Sequence, residues 1–261
     1  MPNTYFLPDG WRIDYHLSAT SSNDLALAAL RQSAGDAEGM CFQVGEQTKG
    51  RGRRGRKWVS QSGNGLYLSI ILCPEAPRLT WSGLSFMASL AVYKALLRFI
   101  EDTYKPGCSL KWPNDILYNG RKLAGILLEA STEGVIVGCG VNLTNAPLIK
   151  QTDFPPVALD ELVTSGSVDP KALGCAVMHQ MAGLYATWQA GGMQNILKEW
   201  RSYCDMKGRS VRIQTVRDVI IGTYRDIGSD GQLIMQKEDG EIVQIHAGDV
   251  EILRDSDASG N

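Results

Sequence analysis

Gly50-Arg51-Gly52-Arg53-Arg54-Gly55-Arg56-Lys57-Trp58 contains a literal G-x-G-x-x-G, and its surroundings decide the fold class. A dinucleotide-binding fingerprint needs a helix directly after the glycines and an acidic residue about twenty positions on. Here the chain continues as Trp58-Val59-Ser60-Gln61-Ser62-Gly63-Asn64-Gly65, a second loop. The doubly wound nucleotide fold is therefore rejected. By composition alone, the four arginines suit a nucleic-acid patch or a localisation signal as well as a ligand loop. The three interleaved glycines argue for something more specific. Glycine lets backbone N–H groups approach a ligand closely, and arginine offers forked donors to phosphate or carboxylate. Trp58 adds a flat apolar wall that can stack on a ring.

Outward from this loop, the pattern reads as mixed α and β. Trp11 to Leu17 alternates like a strand. Ser21-Ser22-Asn23 offers caps for a helix from Asp24 to Gln32, ending near Gly35. Met40–Val44 and Leu66–Leu72 read as the strands on either side of the loop. Thr80 to Tyr104 is the longest helical signal, with Leu84, Ala88, Ala91, Val92, Ala95, Leu96 and Phe99 on one face. Short strands follow at 109–111, 116–118, 123–129 and 135–139, with Asn119-Gly120 as a hairpin turn. Asp169-Pro170 starts a helix to about Ala190, and another spans Met193 to Tyr203. From Ser210 to Leu253, short β-type runs are split by Gly222, Gly228, Gly231, Gly240 and Gly248, the pattern of a small antiparallel barrel. The expected organisation is α+β: a larger domain over residues 1–206, a small β domain over 207–254, and a disordered polar tail over 255–261.

The composition narrows the function classes. A chain of 261 residues with 44% hydrophobic content can bury a large core. A net charge of −2 argues against general affinity for nucleic acid or anionic membrane. None of the six cysteines forms a C-x-x-C pair, so free thiols in a reducing compartment are expected and a zinc site is not. Three scattered histidines leave little for His-based metal chemistry or a serine–histidine triad. The N-terminus lacks the pattern of a secretory signal, and no apolar run reaches membrane-span length, so a cytoplasmic location is expected.

Three further segments carry chemistry-bearing types. Lys111-Trp112-Pro113-Asn114-Asp115 puts a cation and oxygen ligands at a strand end, as a metal–phosphate site needs, although Pro-Asn-Asp is also ordinary turn chemistry. Arg121-Lys122-Leu123-Ala124-Gly125-Ile126-Leu127 is a strand with a basic start. Gly138-Cys139-Gly140-Val141-Asn142 leaves a strand end bare enough for a ligand to approach, or marks a bulge.

In this order the four segments resemble the biotin–protein ligase family, whose signatures are G-R-G-R-x-G-R-x-W, K-W-P-N-D, K-x-x-G-I-L and G-x-N, and the resemblance covers about Tyr15 to Leu253. The resemblance implies a class II synthetase-like biotin ligase fold, a mixed sheet with helices packed on one side, plus a small SH3-like C-terminal barrel. It implies ATP-dependent activation of biotin to biotinyl-5′-AMP and transfer of biotin to a lysine of a biotin carboxyl-carrier protein domain. Ser21, Ser22 (threonine in the family), Asn23, Gln47, Gly50, Arg51, Gly52, Arg53, Lys122 and Gly125 fall on biotin-binding positions. Arg53, Arg56, Trp58, Lys111, Asn114, Asp115 and Asn142 fall on nucleotide positions, with Asp115 and Asn114 as ligands of Mg²⁺-ATP. Lys122, Arg53 and Asp115 fall on catalytic positions, Asp115 either accepting a proton from the incoming amine or orienting it. The pattern starts too early for an N-terminal helix-turn-helix domain, so a monofunctional ligase without specific DNA binding is expected. Pairing of sheet edges would allow a homodimer. Lipoate ligases and octanoyl transferases share the fold and are the alternative enzyme class, which the arginine-rich loop disfavours.

Overall fold

Ser21 is extended, and its hydroxyl accepts from the Asn23 N–H, which starts helix α1 (Ser22–Gln32). The computed structural model describes residues 5–33, 36–149, 152–164, 166–215 and 218–253. The expected helix end at Gly35 and the expected disordered tail lie outside them.

The larger sheet has seven strands: β1 (Arg12–His16), β2 (Met40–Val44), β3 (Gly65–Leu72), β4 (Cys108–Lys111), β5 (Asp115–Tyr118), β6 (Arg121–Ala130) and β7 (Val135–Asn142). Their order is β1-β2-β3-β7-β6-β5-β4, with β1 and β4 at the edges. Only β1 and β2 pair in parallel. β3 is buried along its whole length, as a near-continuous apolar strand at the sheet centre should be.

Period-two alternation sends the residues of β3 to two different layers. Leu66, Leu68, Ile70 and Leu72 pack with α2 (Leu84–Leu96) and α3 (Pro170–Gln189). Ile71 joins Phe42, Ile136, Ala26 and Leu30 in a second cluster beneath α1. The helices therefore do not all lie on one side: α1 covers the face opposite α2 and α3. The chemistry develops on the α1 face.

Helix α2 is shorter than its periodicity predicts. Residues 78–83 form a 3₁₀ turn, and beyond Leu96 the bonds tighten to Arg98 N–H to Ala95 O and Phe99 N–H to Leu96 O. Its residues are buried almost all round, so the helix crosses the core instead of covering it. α3 is capped by Asp169 with Pro170 at its first turn, as expected. α4 (Met193–Ser202) follows, and its Trp200 N–H donates to Ser89 on α2.

The second sheet comprises β8 (Ser210–Gln214), β9 (Val219–Ile227), β10 (Leu233–Gln236), β11 (Ile242–Ile245) and β12 (Asp249–Ile252), in the order β11-β10-β9-β8-β12. All four pairings are antiparallel, and no bridge among the described residues closes β11 onto β12. Val211, Ile213, Tyr224, Met235, Ile245 and Val250 join the main core. The Trp112 indole N–H donates to Gly231 O at 2.9 Å, tying this sheet to the turn between β4 and β5.

Candidate active site

A cavity of about 560 Å³ opens on the α1 face of the large sheet. Its floor is glycine. Gly125 pairs with Gly140 across β6 and β7, and Gly138 lies two residues away. A Cβ at Gly138 would collide with Asn23 Oδ1, and one at Gly140 would sit 2.6 Å from the Trp58 ring. These strands are bare because side chains from α1 and the arginine-rich loop lie on them.

The two ends differ in chemistry. At one end Ser21, Ser22, Asn23 and Gln47 supply neutral donors and acceptors. The Ser22 N–H donates to Gln47 Oε1 at 2.9 Å, and Gln47 Nε2 donates to Ser60 Oγ at 2.9 Å. At the other end, strands β4–β6 bring Lys111, Asp115 and Lys122 together. Lys122 Nζ lies 2.6 Å from Asp115 Oδ1, and Lys111 Nζ lies 3.3 Å from Oδ2. Burial disfavours the Asp115 carboxylate, but Lys122 and Lys111 outweigh it and hold its pKa at about 2. Burial lowers the pKa of Lys111, against the attraction of Asp115. Lys111 Nζ also sits 4.4 Å from the centre of the Phe154 ring.

The arginine-rich loop is closed by hydrogen bonds from Gly52 N–H to Arg56 O and from Trp58 N–H to Gly50 O. Arg54 (φ 54°) and Gly55 (φ 75°) turn its tip through the left-handed region. Arg53 Nη1 donates to Asn114 Oδ1 at 3.2 Å and Nη2 to Gly248 O at 3.3 Å, and burial lowers its pKa. Arg51 is engaged elsewhere, with Asp24 at 2.7 Å and Glu129 at 3.0 Å. Trp58 lies over Lys122, with Nζ 5.6 Å from the ring centre. Its indole N–H is buried without a partner among the described residues.

The cavity thus gathers Ser21, Ser22, Asn23, Gln47, Arg51, Gly52, Arg53, Arg56, Trp58, Lys111, Asn114, Asp115, Lys122, Gly125 and Asn142, all singled out from sequence. Gly50 does not line it. A Cβ there would meet Trp58 O at 2.5 Å, so glycine serves the loop's packing rather than contact with a ligand. Asn142 donates to the carbonyls of Lys122 and Val157, which fixes the backbone under Lys122. Asn114 Nδ2 is likewise tied to Ile126 O.

Sequence reasoning missed the wall formed by the second sheet, namely Arg212, Gln214, Asp249 and Glu251. Asp249 is the main acceptor for the loop, with Arg56 at 2.7 Å, Arg54 at 3.4 Å and Arg53 at 3.9 Å. Gly248-Asp249 reads in sequence as turn punctuation. Nothing in the local sequence joins it to Arg54, 195 residues earlier.

The biotin/lipoate A/B protein ligase family model matches residues 16–142, and the biotin protein ligase C terminal domain matches residues 208–253. A biotin--[acetyl-CoA-carboxylase] ligase of Mycobacterium tuberculosis is 32% identical over 248 residues, spanning 94% of this chain and 91% of that protein. The chain belongs to the biotin/lipoate A/B protein ligase family. Another member, the biotin--[acetyl-CoA-carboxylase] ligase of Paracoccus denitrificans, is 34% identical over 227 residues, covering 82% of this chain and 91% of that protein. Among solved structures, the biotin protein ligase from Aquifex aeolicus in complex with biotin and ATP superposes with a TM-score of 0.78 at 26% identity, covering 93% of this chain and 99% of that one. In this ligase family frame the cavity, with a neutral polar end and a cationic end, is the candidate active site.

Proposed function

We propose that this chain is an ATP-dependent biotin–protein ligase, forming biotinyl-5′-AMP with release of pyrophosphate and passing biotin to a lysine of a biotin carboxyl-carrier domain. The observation that carries this reading is the polarity of the cavity. A cyclic urea is neutral and needs matched donors and acceptors, which Ser21, Ser22, Asn23 and Gln47 offer. A carboxylate attacking a phosphate needs cations, which Arg53, Lys111 and Lys122 offer at the other end.

In the first step the biotin carboxylate attacks the α-phosphorus, two anions approaching each other. Lys122 and Arg53 offset the repulsion and bind charge developing on phosphorus. Trp58 walls the junction between the two ends, and its free indole N–H gives an acceptor on the intermediate a partner. Arg56, Lys111, Asn114 and Asn142 complete the nucleotide side, and Gly52 and Gly125 leave room for the biotin chain. In the second step a neutral lysine amine attacks the acyl carbon, AMP leaves with the bonding electrons, and the amine's proton passes to the departing phosphate or to water. A carboxyl held near 2 is a weak proton acceptor at neutral pH, so Asp115 orients Lys122 and the incoming amine instead of acting as base.

The oxygens of Asp115 are taken by Lys122 and Lys111, and Asn114 Oδ1 is taken by Arg53. The pair does not build a resident metal site. Mg²⁺ arrives instead with the triphosphate of ATP, whose oxygens supply most of its ligands.

The same reading divides the chain into a catalytic domain over 1–206 and an SH3-like domain over 207–254, acting in the cytoplasm. No helix of the described residues is long and apolar enough to cross a membrane. A homodimer would pair through an edge strand of the large sheet. The deciding experiment mixes the protein with biotin, ATP, Mg²⁺ and a carrier domain and looks for covalent biotin, with lipoate and octanoate run in parallel. Transfer of lipoate or octanoate in preference to biotin overturns the substrate assignment.

A further inference from the structure

Glu129 lies near the end of β6, on the same sheet face as Gly125 but outside the cavity lining, and nothing in the reaction above uses it. Its Oε2 accepts from Asn23 Nδ2 at 2.6 Å and pairs with Arg51 Nη2 at 3.0 Å. Asn23 itself is buried, at 3% exposure. The Asn23 oxygen meets Ser69 Oγ at 2.5 Å, and Ser69, fully buried on β3, meets Ser22 Oγ at 2.7 Å. The four side chains form one line, Glu129–Asn23–Ser69–Ser22, that ends at the neutral end of the cavity.

Proton counting gives this line a direction. A carboxylate only accepts, so the amide presents its NH₂ to Glu129 and its oxygen to Ser69. That oxygen has no proton, so the single Ser69 proton goes to it. The contact between the two hydroxyls is then filled by the Ser22 proton. Ser22 thus faces the cavity with lone pairs and no free proton. Gln47 Oε1 also lies 3.2 Å from the Ser22 hydroxyl, but it already accepts from the Ser22 N–H at 2.9 Å and the 2.7 Å contact with Ser69 is the shorter one; whichever acceptor takes it, the Ser22 proton is spent inside the protein. A reversed Asn23 amide would set its oxygen against the Glu129 carboxylate, which is repulsive.

We propose that Glu129 is a positioning residue which, through Asn23 and Ser69, makes Ser22 a hydrogen-bond acceptor for a ligand N–H. The inference rests on the biotin-ligase reading and deepens it, since a ureido group presents such N–H donors. The half-exposed ion pair with Arg51 adds little energy of its own, but ties the arginine-rich loop to the same carboxylate.

The test is a double-mutant cycle on the full chain, reading KM for biotin and for ATP in pyrophosphate exchange. Glu129→Leu and Ser69→Ala should each raise the biotin KM about tenfold, with the ATP KM held within about twofold. The double variant should be no worse than the poorer single, because both break one line. Independent sites that share no contact would multiply their effects instead. Glu129→Gln keeps an acceptor of the same shape and should restore the biotin KM to within about threefold. Multiplicative effects, a parallel rise in both KM values, or failure of the Gln variant to restore biotin binding overturns the proposal. If Glu129→Leu does not fold, as read by thermal melting, the Gln variant and Ser69→Ala alone decide by the same KM criteria. An inactive wild type would instead count against the biotin-ligase reading.

Discussion

Two groups of cations line the cationic end of the cavity, and they are held in opposite ways. Lys111 and Lys122 stand on strands of the main sheet and share one buried carboxylate, Asp115, at 3.3 and 2.6 Å. Arg53, Arg54 and Arg56 stand on a loop and share one carboxylate of the other sheet, Asp249, at 3.9, 3.4 and 2.7 Å. Inside the sheet, the low dielectric strengthens each interaction and the strands fix its geometry. On the loop, Arg56 is 63% exposed, so its pair is screened and easily exchanged. On the proposed reading, the strand cluster would stabilise charge at a fixed point, and the loop cluster would keep its charges on a replaceable partner until a phosphate arrives.

The strongest way to break the comparison is to remove Lys122. Lys122→Ala takes away the ammonium proposed for the reacting centre and leaves Asp115 with Lys111 alone. Adenylate formation should fall about a hundred- to a thousandfold while the protein still melts cooperatively, since the side chain is partly exposed. Near-normal pyrophosphate exchange in this variant would sink the assignment.

The loop side predicts a different defect. Arg53→Gly removes paired donors needed after pyrophosphate leaves, when the phosphate of biotinyl-5′-AMP keeps its charge. A loss of about 3 kcal/mol would speed escape of the intermediate about a hundredfold at an unchanged on-rate. The escaped mixed anhydride should then label lysines of a bystander protein that lacks a carrier domain. A bystander left unlabelled while the variant still makes adenylate would contradict this.

These contrasts also explain what the sequence could reveal. The strand cluster lies within Lys111 to Lys122, so a short motif displays it whole. The order of strands and helices followed from periodicity and turn residues, and the caps at Ser21 and Asp169 were legible as side-chain chemistry. Asp249 and Glu129 were not, because each meets its partners through long-range packing and neither sits in a distinctive local pattern. The placement of α1 on the opposite face was also hidden. Ile70 and Ile71 are chemically alike, yet they point to opposite sides of β3. Which of them meets α1 depends on how Phe42 and Ile136 pack beside Ile71, and a local pattern does not show that. Helix α2 was over-long in sequence because apolar residues continue past Leu96 into a turn of mixed i→i+3 and i→i+4 bonds.

A third prediction uses acid to sharpen the contrast. The Asp115 pKa falls from 3.8 to about 2 on folding. At a pH between these values the unfolded chain binds more protons at this site, so its contribution to stability is full above 3.8 and is lost as pH falls toward 2. Denaturant titrations of the wild type and Asp115→Asn should therefore converge as pH drops through that window. A constant difference from pH 5 downward, on the order of three pH units, would show that the two lysines do not hold the carboxylate as described.

The smallest effect is expected at Asp249, on the loop side. Asp249→Asn keeps the shape and removes the charge on which three arginines converge. Each of those pairs is partly exposed, and exposed ion pairs are worth about 0–1 kcal/mol, so global stability should change by less than about 1 kcal/mol. Local order should change more, because the tip of the loop has few apolar anchors and Arg54 and Arg56 lose their shared carboxylate. Arg53 retains its bonds to Asn114 Oδ1 and Gly248 O, which keeps the base of the loop near the cavity. Hydrogen exchange at residues 52–57 should accelerate severalfold in the free variant, while β4–β6 exchange at the wild-type rate. Adding biotinyl-5′-AMP should largely restore protection, because its phosphate supplies the negative charge that Asp249 no longer does. If exchange in the loop is unchanged by the substitution, Asp249 is not the partner that holds it. If the adenylate restores nothing, the loop's arginines are not waiting for a phosphate.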